Sequence, residues 1–144
     1  MKYLFIIICL ITLTSCSISD DTPDNEVSIT QWSLINVSGG LAGINTDFES
    51  GIIVWRFNNL DGTLSVLNNN DDNSLEDGLD SGTYNHLFIE KDEDLFLTID
   101  GIEYGLVTIS EDTETFILNQ NITSTGSGAD LFIYTFEKSV VIVN

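Results

Sequence analysis

The sequence predicts an all-β fold, an eight-stranded antiparallel up-and-down barrel, and three observations carry the prediction. From Ile29 onward apolar residues recur with period two, and no window places them at i, i+3, i+4 and i+7 over three turns. Turn chemistry breaks the alternation at short intervals: Asp61-Gly62, Ser81-Gly82, Asp100-Gly101 and the Asn/Asp-rich run 68–80. The connections are short, which favours neighbouring antiparallel strands over crossovers. An open sheet without helices would leave one face wet and two edges free, whereas closure removes both edges.

Each strand has its own signal. The expected strands are 29–37 (ITQWSLINV), 51–58 (GIIVWRFN), 62–68 (GTLSVLN) and 82–90 (GTYNHLFIE). They continue as 94–100 (DLFLTID), 102–110 (IEYGLVTIS), 114–119 (ETFILN) and 129–137 (ADLFIYTFE), with VVIV at 140–143 as a short closing segment. Alternation puts Trp32, Leu34, Trp55, Phe57, Leu64, Val66, Tyr84, Phe88, Leu97 and Ile99 on one inward face. Each such side chain contributes about 2 kcal/mol on burial, enough to decide which way a strand turns. The segment 38–50 is too rich in glycine for a stable helix.

Residues 1–16 (MKYLFIIICLITLTSC) differ from all that follow: one Lys, an apolar run, then small residues before Cys16. This is the pattern of an export signal, and the run is too short to span a bilayer, which takes about 20 residues. Leu13-Thr14-Ser15-Cys16 resembles a bacterial lipobox. The resemblance implies cleavage before Cys16, lipidation of its thiol, and a membrane partner held through the acyl chains. Leu13, Thr14 and Ser15 then serve as recognition residues. Cys9 falls in the leader, so no disulfide pair remains after it is cut. The expected organisation is therefore leader 1–15, lipidated Cys16 with an acidic tether to residue 28, and the barrel domain 29–144. Within the tether, Ser19, Asp20 and Asp21 resemble the surface-export signal of Bacteroidota lipoproteins, which implies an outer-membrane lipoprotein displayed at the cell surface.

The 23 acidic residues face 4 basic ones, for a net charge of −19. Nucleic acid and anionic surfaces are poor partners for such a field. Catalysis finds little to work with, namely one histidine (His86), no thiol after lipidation and few cations. No enzyme, cofactor or metal is expected. The acidic run 68–82 misses the spacing of an EF-hand loop: from Asp72, Ser74 and Glu76 fill the third and fifth places and Gly78 comes one residue late. A solvated hairpin loop is expected there. His86 alternates with Tyr84 and Phe88 and is expected as a core histidine bonded to a carbonyl. Arg56, the chain's one arginine, is expected to face out and pair with an acid across the strand; an anchoring role for a ligand carboxylate would require the opposite facing.

Taken together, QWSLINVSGGLAG, GIIVWRFNN, GTLSVLNN, SGTYNH, LFLTIDGIEYGLVTIS and LFIYTFEK resemble the lipocalin-like lipoproteins of Bacteroidota. Carrying the resemblance are Trp32 in the first strand, Trp55-x-Phe57, Gly82-x-Tyr84 and Tyr134-x-Phe136-x-Lys138. It implies a calycin-type barrel that binds a small apolar ligand in a cavity lined by Trp32, Leu34, Trp55, Phe57, Tyr84, His86, Phe88 and Leu97. Thr30 stands where the family's G-x-W motif has glycine, and His86 where an aromatic is usual. A barrel of this size can instead be filled by its own side chains. Such a protein would act as a structural or interaction module through its acidic loops.

Overall fold

The computed structural model describes residues 27–128 and 130–143. The leader, Cys16 and the Ser19–Asp21 cluster lie outside the described residues. The strands are β1 (Val27–Gly39), β2 (Ile44–Asp47), β3 (Ile53–Asn58), β4 (Thr63–Asn68), β5 (Gly82–Lys91) and β6 (Asp94–Ile99). They continue as β7 (Ile102–Ser110), β8 (Thr115–Asn119), β9 (Ile122–Thr123), β10 (Gly126–Ser127) and β11 (Phe132–Val143).

Eight of these, β1, β3, β4, β5, β6, β7, β8 and β11, pair in that order, every pair antiparallel. The β11–β1 ladder closes the ring. This is the up-and-down barrel that alternation and short turns imply. Asp100 and Gly101 both take positive φ (48° and 81°), as a two-residue hairpin turn in a right-twisted ladder requires.

The differences lie in length, phase and additions. VVIV does not form a separate closing segment, because β11 runs unbroken to Val143 against β1. The glycine-rich stretch after β1 contains a strand, β2, which doubles back on the distal half of β1 (Asn36–Gly39). A further hairpin, β9–β10, sits in the β8–β11 connection. Glu103 of β7 holds it by accepting from the Ser124 backbone N–H at 2.5 Å and its hydroxyl at 2.6 Å. These two bonds hold the Glu103 carboxyl below its usual pKa.

Bulges shift the phase twice. In β1 the register slips between Leu34 and Asn36, leaving Ile35 unpaired against β11. Val37, not Asn36, then follows Leu34 into the interior, with none of its surface exposed. Asn36 turns outward and donates to Asn45 and Asp47 of β2 (2.9 and 2.8 Å). In β7 the slip falls at Tyr104, between the partners of Leu97 and Thr98.

β1 begins and β11 ends at one end of the barrel, which also carries the turns 58–63, 91–94 and 110–115. We call this end proximal. The distal end carries the β1–β2 turn, the loop 68–82, the turn at 99–102 and the β8–β11 connection.

Candidate functional site

The eight residues proposed as cavity walls all belong to the interior, and they meet one another there. Leu34, Trp55 and Leu97 expose at most 1% of their surface, as do Leu64, Phe116, Leu118 and Phe136. A chamber for a small molecule would give its walls water-sized access, and these side chains have almost none. Trp55 packs on Phe136 with ring centroids 4.9 Å apart and on Phe57 at 6.2 Å. Phe57 in turn meets Phe88 at 5.2 Å and Phe116 at 5.8 Å. The half-buried Trp32, Phe57, Tyr84 and Phe88 pack against this core. Phe116, Leu118, Tyr134 and Phe136 did not enter the expected inward face. Their signal was present as the alternations Phe116-x-Leu118 and Phe132-x-Tyr134-x-Phe136.

The acidic loop is not merely a solvated hairpin connection. Asn68, Asn70, Asp72 and Glu76 brace it by hydrogen bonds within the loop to Ser81, Asp77, Ser74 and Gly78. So folded, it lays Leu79 against the core. The loop also brings Gly78 over Trp55, where a Cβ would sit 3.7 Å from the indole. Two phenols pin it: Tyr84 donates to the Asp80 carbonyl and Tyr134 to Glu76 Oε1, each at 2.8 Å. Burial, together with the Glu76 carboxylate it bonds, raises the Tyr134 phenol far above its ordinary pKa, so it remains a donor at any physiological pH. The distal end is thereby capped.

At the proximal end a pocket of about 360 Å³ lies between Trp32, Lys138, Ile109 and the β7–β8 turn with Glu111 and Glu114. The Trp32 indole rests on Phe116 (5.6 Å between centroids), so this pocket ends on the core and does not enter it. Among the described residues, no three His, Cys, Asp or Glu side chains converge as a metal-binding group.

No family profile, curated protein or solved structure matches the chain.

His86 is buried, 8% exposed, in edge contact with Phe57 and Phe88. Its Nε2 donates to the side-chain oxygen of Asn59 at 3.1 Å, and hydrogen bonding toward the backbone of Gly62 and Thr63 favours its protonated form. Nδ1 is buried with no protein partner. Desolvation, the leading cause, lowers its pKa below 6.5. The unfolded chain therefore takes up the imidazole proton before the folded one does. Stability from this group is complete above about pH 6.5 and falls as pH drops toward the folded-state pKa. Replacing His86 by Phe should shrink the loss of Tm between pH 7.5 and pH 5. An equal loss in both proteins would contradict this role.

Arg56 faces outward, as expected from Trp55 and Phe57 facing in, yet among the described residues its hydrogen-bond partner is not an acid. Its cross-strand neighbour in β4 is Ser65. On the β1 side its Nε donates to Gln31 Oε1 at 2.9 Å. Alternation sets the facing of Arg56, but only the register sets its neighbour.

Proposed function

We propose that the protein is an outer-membrane lipoprotein, anchored through lipid on Cys16 and displayed at the cell surface. Its lipocalin-like barrel serves as a filled, non-catalytic scaffold for surface recognition. The observation that supports the scaffold reading is the core of Leu34, Trp55, Leu97, Phe116 and Phe136, each of which exposes at most 1% of its surface. Carriage of an apolar ligand inside the barrel would require the 68–82 loop to lift Leu79 and Gly78 away from the core.

The anchoring half rests on the leader and on Leu13-Thr14-Ser15-Cys16. A tether reaching β1 at Val27 enters the proximal end, so the distal loops would point away from the membrane. The proximal turns carry Asp92, Glu93, Glu111, Asp112 and Glu114, which disfavour contact with anionic headgroups. Replacing Cys16 by Ala should move the protein from the membrane to the soluble fraction. Replacing Ser19, Asp20 and Asp21 by Ala should protect it from protease added to whole cells. Retention of the Cys16 variant in membranes would rule out the anchor, and continued proteolysis of the triple variant would rule out the export signal.

A further inference from the structure

β1 and β3 close their side of the barrel through only two residue pairs, Trp32 with Trp55 and Ser33 with Val54. Toward the proximal end β1 goes on pairing with β11 to Val27, and β3 with β4 to Asn58, but not with each other. The wall parts there into a lateral cleft of about 590 Å³. Ile29 and Thr30 form one side, Arg56 and Ser65 the other, with Phe57 and the 99% exposed Leu60 completing it.

The chemistry of this cleft departs from that of the rest of the surface. None of the nine residues around it is acidic, in a chain with 23 acids, and it contains the only arginine. Gln31, a neutral partner, fixes the guanidinium through Nε. Among the described residues the two Nη groups make no hydrogen bond, which leaves the outer edge of the fork unoccupied by any of them. Asp61, on the adjoining turn, has its carboxylate engaged by Asn58 and Thr63.

We propose that this cleft binds a small molecule carrying a carboxylate on an apolar body. The carboxylate meets the open edge of Arg56, where a planar fork offers two parallel N–H donors. The body lies against Ile29, Phe57 and Leu60. This site is on the barrel wall and needs neither an empty interior nor the lipid anchor. Apolar contact and a single charge-assisted pair set the affinity, because the net negative field gives an anion no help.

Calorimetric titration of the detergent-solubilised full-length protein tests the site with three probes. 4-Phenylbutyrate presents the carboxylate on an aryl body, glucuronate presents it on a sugar, and 4-phenylbutanamide is the neutral control. Saturable binding of 4-phenylbutyrate is expected, with glucuronate and the matched amide each at least tenfold weaker. The Arg56→Gln variant, checked for an unchanged circular dichroism spectrum, should lose at least about tenfold in affinity. Arg56→Lys should recover only part of it, since an ammonium lacks the fork. Overturning results would be no saturation by 4-phenylbutyrate at millimolar concentration, glucuronate binding as tightly, equal binding of acid and amide, or full affinity in Arg56→Gln.

Discussion

Replacing Trp55 by Ala should lower stability by about 3–5 kcal/mol, a large part of the roughly 5–15 kcal/mol that holds a domain together. Trp55 is 1% exposed, packs on Phe136 of β11 and its neighbour Phe57, and lies beneath the capping loop at Gly78. The void left by the indole cannot collapse easily, because β1 and β4 hold residue 55 in a ladder on both sides. With a urea m-value of about 1–3 kcal/mol/M, the midpoint of unfolding should fall by at least 1 M. Trp55→Phe should cost only about 1–2 kcal/mol, because the indole N–H has no protein partner to lose. A loss below about 1 kcal/mol in the alanine variant would mean that the indole borders empty space, contrary to the packed interior.

The second large effect is steric. Gly105 follows the β7 bulge at φ 141°, and a Cβ there would lie 2.3 Å from the backbone oxygen of Asn119 in β8. Both partners are backbone in a closed ladder, so neither can give way. Gly105→Ala should cost about 3 kcal/mol or more, the sum of left-handed strain and displacement of β8. Gly101 provides the control. It too has positive φ, but a Cβ would meet nothing within 4 Å, so Gly101→Ala should cost only about 1 kcal/mol. Urea unfolding of both variants separates the two causes. Equal losses would show that no close approach exists at Gly105.

The barrel was legible in the sequence because its strands obey one rule, a period of two between turn residues. Leu34, Trp55, Leu64 and Leu97 could be placed inside from that rule alone, and all are buried. The rule fails where the backbone inserts a residue. Nothing in Leu34-Ile35-Asn36-Val37 marks Ile35 as the extra one, since the bulge is fixed by β11 on one side and by the Phe48 N–H bonding its carbonyl on the other. β2 and the β9–β10 hairpin are four and two residues per strand, too short to show a period. The loop cap was illegible for another reason. One leucine and one glutamate in an acidic run carry no pattern, and only closure of the barrel brings Tyr134 within reach of Glu76, 58 residues away.

Arg56 shows how far the candidate site could be read. Its outward facing follows from its neighbours in sequence, but the acid-free cleft beside it arises where two strands distant in the chain cease to pair. An arginine in a chain with so many acids invites an ion pair. The register supplies a serine and a glutamine instead.

The central claim is that the barrel is filled by its own side chains. Xenon binds wherever an apolar void is large enough to hold it, so diffraction from xenon-pressurised crystals tests the claim most directly. The account predicts no xenon peak among Leu34, Trp55, Leu97, Phe116 and Phe136. An occupied xenon site enclosed by those residues would contradict it and restore the barrel interior as a place for a ligand.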